Sequence, residues 1–203
     1  MPYDASRVVL ATHNPGKIAE LRALLAGLGP EVLGLADFPA IGLIPETGAT
    51  FLENARQKAL AVCRATGLTS LADDSGLCVD ALDGAPGVHS ARYAGEEASD
   101  TANNAKLLAA MADVPEAART CRFVSVVVAV TPDGRELTAT GVWEGRLGFA
   151  PDGTGGFGYD PLFIDPDLGT TAARLRPEAK NARSHRGRAL AELRTKWPEF
   201  WRG

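Results

Sequence analysis

The most conspicuous chemistry in this chain is a pair of adjacent carboxylates, Asp73 and Asp74, followed at once by a hydroxyl, Ser75, and a glycine, Gly76. The pair closes a short apolar run over residues 69–72. If that run is a buried strand, the acids stand at its carboxyl end, where open α/β sheets place their ligands. Like charges this close repel, and they persist most readily beside a metal cation, a lysine or water. The pair therefore either holds a divalent metal and activates a water, or forms an Asp-rich turn, for which Asp-Asp-Ser-Gly is equally suited. A second apolar run, residues 77–82, leads into Asp83-Gly84-Ala85-Pro86-Gly87, whose glycines and proline specify one backbone path. His89-Ser90-Ala91-Arg92-Tyr93 then brings polar and cationic groups back towards the acids.

Four other stretches carry polar groups at suggestive places. Thr12-His13-Asn14-Pro15-Gly16-Lys17 lies between a strand at residues 7–12 and a helical pattern on Ile18, Leu21, Leu24, Leu25 and Leu28, which Gly29-Pro30 stops. The free N–H groups and positive dipole of such a helix start suit a phosphate; a plain strand–helix turn explains the loop equally. The pattern is not a Walker loop, which needs more glycines. Glu46-Thr47-Gly48 is a turn, and Thr50 with Glu53 forms a capping box. Behind it Phe51, Leu52, Ala55, Ala59, Val62 and Cys63 mark the buried stripe of a helix ending near Gly67, which leaves Asn54, Arg56, Gln57 and Lys58 as surface residues. The glycine-dense segment 145–160 ends Gly-Phe-Gly-Tyr-Asp. Phe157 or Tyr159 can offer a ring to a flat base, although a flexible hairpin tip also explains the glycines. Lys180, Arg183, His185, Arg186 and Arg188 form a basic cluster that reads either as a solvated face or as an anion site.

The elements that must position these groups alternate between strand and helix. Further strands are expected at residues 32–38, 119–130, 135–143 and 161–164, with a turn at Pro132-Asp133-Gly134. A helix is expected at residues 99–111, capped by Ser99 with Leu107, Leu108 and Met111 inward. A helical turn starts at Pro177, and the last helix has Leu190, Leu193 and Trp197 as its inner face. The 203 residues and 45% apolar content suffice for one large α/β domain over residues 1–203. The net charge of −4 argues against broad affinity for nucleic acid. Cys63, Cys78 and Cys121 are odd in number and lack a CxxC pair, so thiols in a reducing compartment fit better than disulfides or zinc. No apolar run is long enough to span a membrane and residues 1–7 lack a signal core, so a cytoplasmic protein is expected.

Five of these strings in order, Thr12–Lys17, ETGATFLENARQKAL, DDSGLCVDALDGAPGVHSARY, GTGGFGYDP and KNARSHRGRAL, resemble the motifs of the non-canonical purine NTP pyrophosphatases, the inosine/xanthosine triphosphate pyrophosphatase family. The resemblance covers nearly the whole chain. It implies a long, mixed, twisted central sheet flanked by helices, with two lobes around a central cleft, and a homodimer. It implies Mg²⁺-dependent hydrolysis of ITP, dITP and XTP to the monophosphate and pyrophosphate. Asp74 would be the catalytic base, and Asp74, Asp73 and Glu46 the metal ligands. Thr12, His13, Asn14, Pro15, Gly16, Lys17 and Ser75 would line the phosphates, with no catalytic role for His13. Phe157, Gly158, Tyr159 and Asp160 would form the nucleoside wall, Lys180 would meet the nucleotide, and His185 and Arg186 would lie beside the 6-oxo purine. Glu53 and Lys58 would face the cleft. Pro45 stands where family members often carry a further glutamate.

The chemistry of the residues agrees with that reaction. A triphosphate needs cations, and Mg²⁺ takes one or two carboxylates plus phosphate oxygens and waters. A donor aimed at a 6-oxo group would be left unpaired by adenine, which discriminates strongly. Two other readings compete: a Maf-like pyrophosphatase of modified or pyrimidine nucleotides, and a non-catalytic nucleotide sensor.

Overall fold

Val8, Val9 and Leu10 are wholly buried, as parallel strands covered on both faces require. They form β1 (Arg7–Leu10), which pairs in parallel with β2 (Glu31–Gly34) on one side and β3 (Thr69–Val79) on the other, Val8 opposite Val32 and Thr69. The remaining strands are β4 (Thr120–Val130), β5 (Glu136–Leu147), β6 (Phe163–Asp165) and β7 (Thr170–Thr171). The sheet order is β2-β1-β3-β4-β5-β6-β7, and β5-β6-β7 pair antiparallel. The sheet is therefore mixed, as expected. The helices are α1 (Pro15–Leu25), α2 (Phe51–Thr66), α3 (Asp100–Ala110), α4 (Pro177–Arg183) and α5 (His185–Arg202).

This computed structural model describes residues 4, 6–26 and 29–202. Leu28 of the expected helical stripe, the side chains of Leu24 and Leu25, and residues 1–3 and 5 lie outside the described residues. The chain divides into two compact units. One comprises Met1–Asp74, Ser125–Gly141 and Arg186–Gly203; the other comprises Ser75–Val124 and Val142–His185. The first unit packs Val8, Leu10, Leu21 and Leu71 with Val127, Ala139, Leu190, Leu193 and Trp197. The second packs Leu77, Val79, Leu107 and Met111 with Phe123, Trp143, Tyr159 and Phe163.

Where the sequence carries explicit caps, the elements fall where it places them. Thr50 caps α2, its Oγ1 accepting from the Glu53 N–H at 3.2 Å. The Glu53 carboxylate reaches back one residue further than a capping box requires, to the Ala49 N–H at 2.7 Å. Gly67 ends the helix in the left-handed region, φ 66°. Ser99 caps α3. Four expectations need correction. The acids do not end a strand, because β3 continues through Asp73, Asp74, Ser75 and Gly76 to Val79; this also removes the turn reading. The strand expected at 32–38 stops at Gly34 and tightens into a 3₁₀ turn. The helix α1 ends at Leu25, before Gly29-Pro30. The strand expected at 161–164 occupies Phe163–Asp165.

In the second unit Asp165 ties β6 to α4. Its carboxylate accepts from the Trp143 indole (3.0 Å), from Arg183 Nε (2.8 Å) and from the Asp167 and Leu168 N–H groups (2.9 and 3.1 Å). Burial alone would push this carboxyl up, but the Arg183 and Trp143 hydrogen bonds outweigh it and hold it below the usual range.

Two measurements follow. Thr50→Ala removes the α2 cap and lowers stability by about 1 kcal/mol in urea denaturation, without changing the m-value. Asp165 has a depressed folded pKa. Its contribution is complete above the unfolded value of about 3.9 and is lost as pH falls through the lower folded value. Asp165→Asn therefore gives a shallower acid limb of stability against pH, read from Trp fluorescence; parallel limbs in both proteins would refute this.

Candidate active site

Successive side chains of a strand leave opposite faces, so Asp73 and Asp74 are adjacent in sequence but point apart. They acquire separate partners, all within the first unit. The Asp73 carboxylate meets Lys17 Nζ at 2.9 Å and Arg186 Nη2 at 3.1 Å, and accepts from the Ser125 hydroxyl of β4. Arg186 also pairs with Glu20 of α1. Asp73 is fully buried. Burial would raise its pKa, but Arg186 and then Lys17 outweigh that and hold it well below the usual carboxylate range.

Asp74 faces α2. Its Oδ1 lies 2.9 Å from Lys58 Nζ, and its Oδ2 accepts from Asn54 Nδ2 at 3.3 Å. Lys58 Nζ also reaches Glu46 at 2.7 Å and the Asp73 carbonyl at 3.0 Å. One ammonium therefore joins two acids that are far apart in sequence. Asn54 fixes the Glu46 turn as well, its Oδ1 accepting from the Gly48 N–H at 2.8 Å. A Cβ on Gly48 would lie 2.6 Å from Glu53 Cβ and 2.8 Å from Asn54 Oδ1, so only glycine allows this approach. Burial drives the Asp74 carboxyl above its ordinary value; Lys58 and Lys17 oppose the rise, and Glu46 adds to it. For Lys58, burial favours the neutral amine, but Asp74 and Glu46 outweigh it and raise the pKa.

These contacts correct the surface reading of Asn54 and Lys58, both of which are buried. Spaced four apart, they sit beside Ala55 and Ala59 at the border of the buried stripe. The helix phase could have revealed this. Glu20 and Ser125 went unnoticed because each looks like an ordinary polar position on a helix or strand. Glu53 is exposed and its carboxylate is used by the backbone. In the opening loop, Thr12 Oγ1 accepts from the Asn14 N–H (3.2 Å), and Asn14 caps α1 by accepting from the Lys17 N–H (3.1 Å). Pro15 starts that helix, and His13 is exposed.

The second unit carries the aromatic residues. Asp160 Oδ2 accepts from the Phe157 N–H at 2.9 Å and from Lys180 Nζ at 2.7 Å. Lys180 Nζ lies 4.8 Å from the centroid of the half-buried Phe157 ring. A Cβ on Gly156 (φ +73°) would lie 2.0 Å from Asp160 Oδ2, so this turn requires its glycine. Tyr159 is only 4% exposed, and its hydroxyl donates to the Ser90 carbonyl at 2.9 Å. Its ring belongs to the core, which leaves Phe157 as the ring available for stacking. His185 stacks on Phe123, centroids 4.7 Å apart, and Ser75 is half-buried on β3. The solvated-face reading of the basic cluster fails for Lys180, His185 and Arg186, all buried, whereas Arg188 is exposed. Arg183 is ion-paired to Asp165 and Asp167.

The donor set can be tested against Mg²⁺. Asp74 and Glu46 already converge on one cation, the Lys58 ammonium. Among the described residues no three His, Cys, Asp or Glu side chains gather as a closed metal cage. Two carboxylates suit an ion that keeps waters and takes phosphate oxygens. Asp73 fits less well, because it is fully buried and already neutralised by two cations, Lys17 and Arg186, where Asp74 meets one, Lys58. Of the three expected ligands, the geometry favours Asp74 and Glu46.

Fold and side chains together define a mixed-sheet α/β protein of the enzyme type, with a buried acid–lysine cluster. The sequence profile of the Ham1 family matches residues 8–196. The chain is 55% identical over 202 residues to the dITP/XTP pyrophosphatase of Nitratidesulfovibrio vulgaris, covering 97% of this chain and 98% of that one. It is 53% identical over 189 residues to the dITP/XTP pyrophosphatase of Geobacter sulfurreducens, covering 93% and 95%. Its structure is similar to that of a HAM1 protein from Coxiella burnetii, with TM-score 0.87, 43% identity and coverage of 95% and 98%. This chain belongs to the Ham1 family, and the resemblance read from its motifs is borne out.

Asp73→Asn leaves Arg186 and Lys17 facing a neutral amide. It should cost about 3–5 kcal/mol in chemical denaturation. Asp74→Asn should cost less, because Lys58 keeps Glu46. Equal losses would show that the two acids are not differently held.

Proposed function

We propose that this chain hydrolyses dITP, ITP and XTP, with water, to the nucleoside monophosphate and pyrophosphate in an Mg²⁺-dependent reaction. The observation that carries this reading is the Asp74–Lys58–Glu46 arrangement. A buried carboxylate with a raised pKa is held against a second acid by a single ammonium. The names borne by relatives at 53–55% identity over almost their whole length support the substrate class.

Asp74 takes the proton from the water that attacks the α-phosphorus, and pyrophosphate leaves. A buried carboxylate with an elevated pKa is a better base than a solvated one. Asp74 and Glu46 would hold Mg²⁺, which supplies charge neutralisation on the phosphates when bound. Lys17 and the start of α1, with Thr12, His13, Asn14, Pro15 and Gly16, receive the phosphate chain, helped by the helix N-terminus. Asp73 serves by holding Lys17 and Arg186 rather than by binding metal. Ser75 follows the base on the same strand. Phe157 stacks on the purine, Gly158 continues that wall, Tyr159 backs it from the core, and Asp160 sets Lys180 towards the nucleotide. Donors in the His185 region read the 6-oxo group, while the Arg186 guanidinium is engaged by Asp73 and Glu20. Both units serve one pyrophosphatase domain. No described helix is long and apolar enough to cross a membrane. The family resemblance supports a homodimer, and three cysteines without a CxxC pair support a reducing, cytoplasmic compartment.

The test is pyrophosphate release from dITP, ITP, XTP, ATP, GTP and dTTP, with Mg²⁺ and after chelation. The first three should turn over, and chelation should abolish release. Asp74→Asn should lower kcat by about 10²–10⁴-fold. Preference for dTTP would move the protein to the Maf-like class. Binding of ITP without release would make it a sensor.

A further inference from the structure

The glycine between the two aromatics, Gly158, is held by both of its backbone polar groups, and both partners lie on α3. Its N–H donates to Asp100 Oδ2 at 2.6 Å, and its carbonyl accepts from Asn104 Nδ2 at 3.0 Å. Asp100 and Asn104 are four apart, so they lie one turn above the other on a single helix face. The bond to the Gly158 carbonyl fixes the Asn104 amide with its nitrogen towards the loop. Asn104 is nearly fully buried, and its Oδ1 has no hydrogen-bond partner among the described residues. Idle buried acceptors are uncommon. A side chain serving packing alone would be apolar here, so the amide is explained by its donor.

The adjacent Asn103 grips a second loop. Its Oδ1 accepts from the Ala94 N–H at 2.7 Å, and its Nδ2 donates to the Ala91 carbonyl at 3.1 Å. That loop includes Ser90, whose carbonyl accepts the Tyr159 hydroxyl. The helix α3 thus anchors the two residues that follow Phe157: Gly158 directly, and Tyr159 through Ser90. Phe157 itself donates its N–H to Asp160 and has the Lys180 ammonium near its ring. Gly158 has φ +62°. With no Cβ and wide conformational freedom, it would let the Phe157 ring drift unless its peptide were pinned.

We infer that Asp100 and Asn104 are positioning residues that fix the Phe157 ring for the purine by clamping the Gly158 peptide. They act through Phe157 and do not touch the nucleotide. The inference rests on the pyrophosphatase reading, in which Phe157 stacks on the base.

The experiment measures kcat and KM for dITP in Asn104→Leu, Asp100→Ala, Phe157→Ala and the two double variants with Phe157→Ala, beside urea midpoints. Asn104→Leu removes the donor and the idle acceptor together, so its folding should be little changed. Asp100→Ala alters an exposed side chain and leaves the Ser99 cap in place. Each single variant should raise KM about tenfold, with a smaller fall in kcat. In the Phe157→Ala background each should add little, because residues acting through one group are not additive. Additive KM effects, unchanged KM, or losses that track only the urea midpoint would overturn the clamp. A wild-type protein that turns over no purine triphosphate would overturn the pyrophosphatase reading itself, so the two failures are distinct.

Discussion

Much of the first unit depends on neutralising a carboxylate that has no access to water. Asp73 sits in the middle of β3, fully buried, and an isolated ionised carboxyl there would be untenable. Three elements supply what it needs: α1 contributes Lys17, α5 contributes Arg186, and β4 contributes the Ser125 hydroxyl. Arg186 is itself buried and draws on a second acid, Glu20 of α1. Helices from opposite ends of the chain are thereby fixed to one point on the strand. The network is better read as a specifier of position than as a source of net stability, since buried ion pairs return little beyond their desolvation cost. The position it specifies is that of Lys17, in the first turn of α1.

The second constraint is glycine. At Gly48 and Gly156 a Cβ would collide with the side chains that organise each turn, Asn54 in one case and Asp160 in the other. The polar residue and the glycine at each site are one design: the side chain reaches over the backbone to take an N–H, and only hydrogen leaves room for it. Such loops lack regular structure yet have few alternative conformations, which suits groups that must stand ready before a ligand arrives.

Local signals in the sequence account for most of the fold. Thr50, Ser99 and Gly67 are caps that act over three or four residues, and the helices begin or end at them. The β-branched run of β4 and its turn into β5 are equally local. The end of β3 was not legible that way. Asp-Asp-Ser-Gly has the chemistry of a turn, and only distant partners, Lys58 and Arg186, make it strand. The same reason hid Asn54, Glu20 and Ser125, whose roles exist only when separate segments meet. The sequence marked Asp74, Glu46 and Lys180 and made Asp74 the base with Asp73 beside it as a metal ligand; the ion pairs that engage Asp73 were not legible there.

That division follows from strand geometry. Two neighbouring aspartates on a helix or turn would share one environment and repel. In a strand they face opposite sides, and each takes the character of the side it meets. Asp73 meets two cations and a hydroxyl, and its pKa is held low, which suits it to ion pairing rather than to accepting a proton. Asp74 meets one cation already shared with Glu46, in a buried place, and its pKa rises. Pairs of acids whose surroundings push them apart in this way mark the assignment of roles in many active sites. Here a single peptide bond separates the carboxylate held between Lys17 and Arg186 from the one whose pKa is raised beside Lys58. Their order along β3 cannot be exchanged without turning each towards the other's partners.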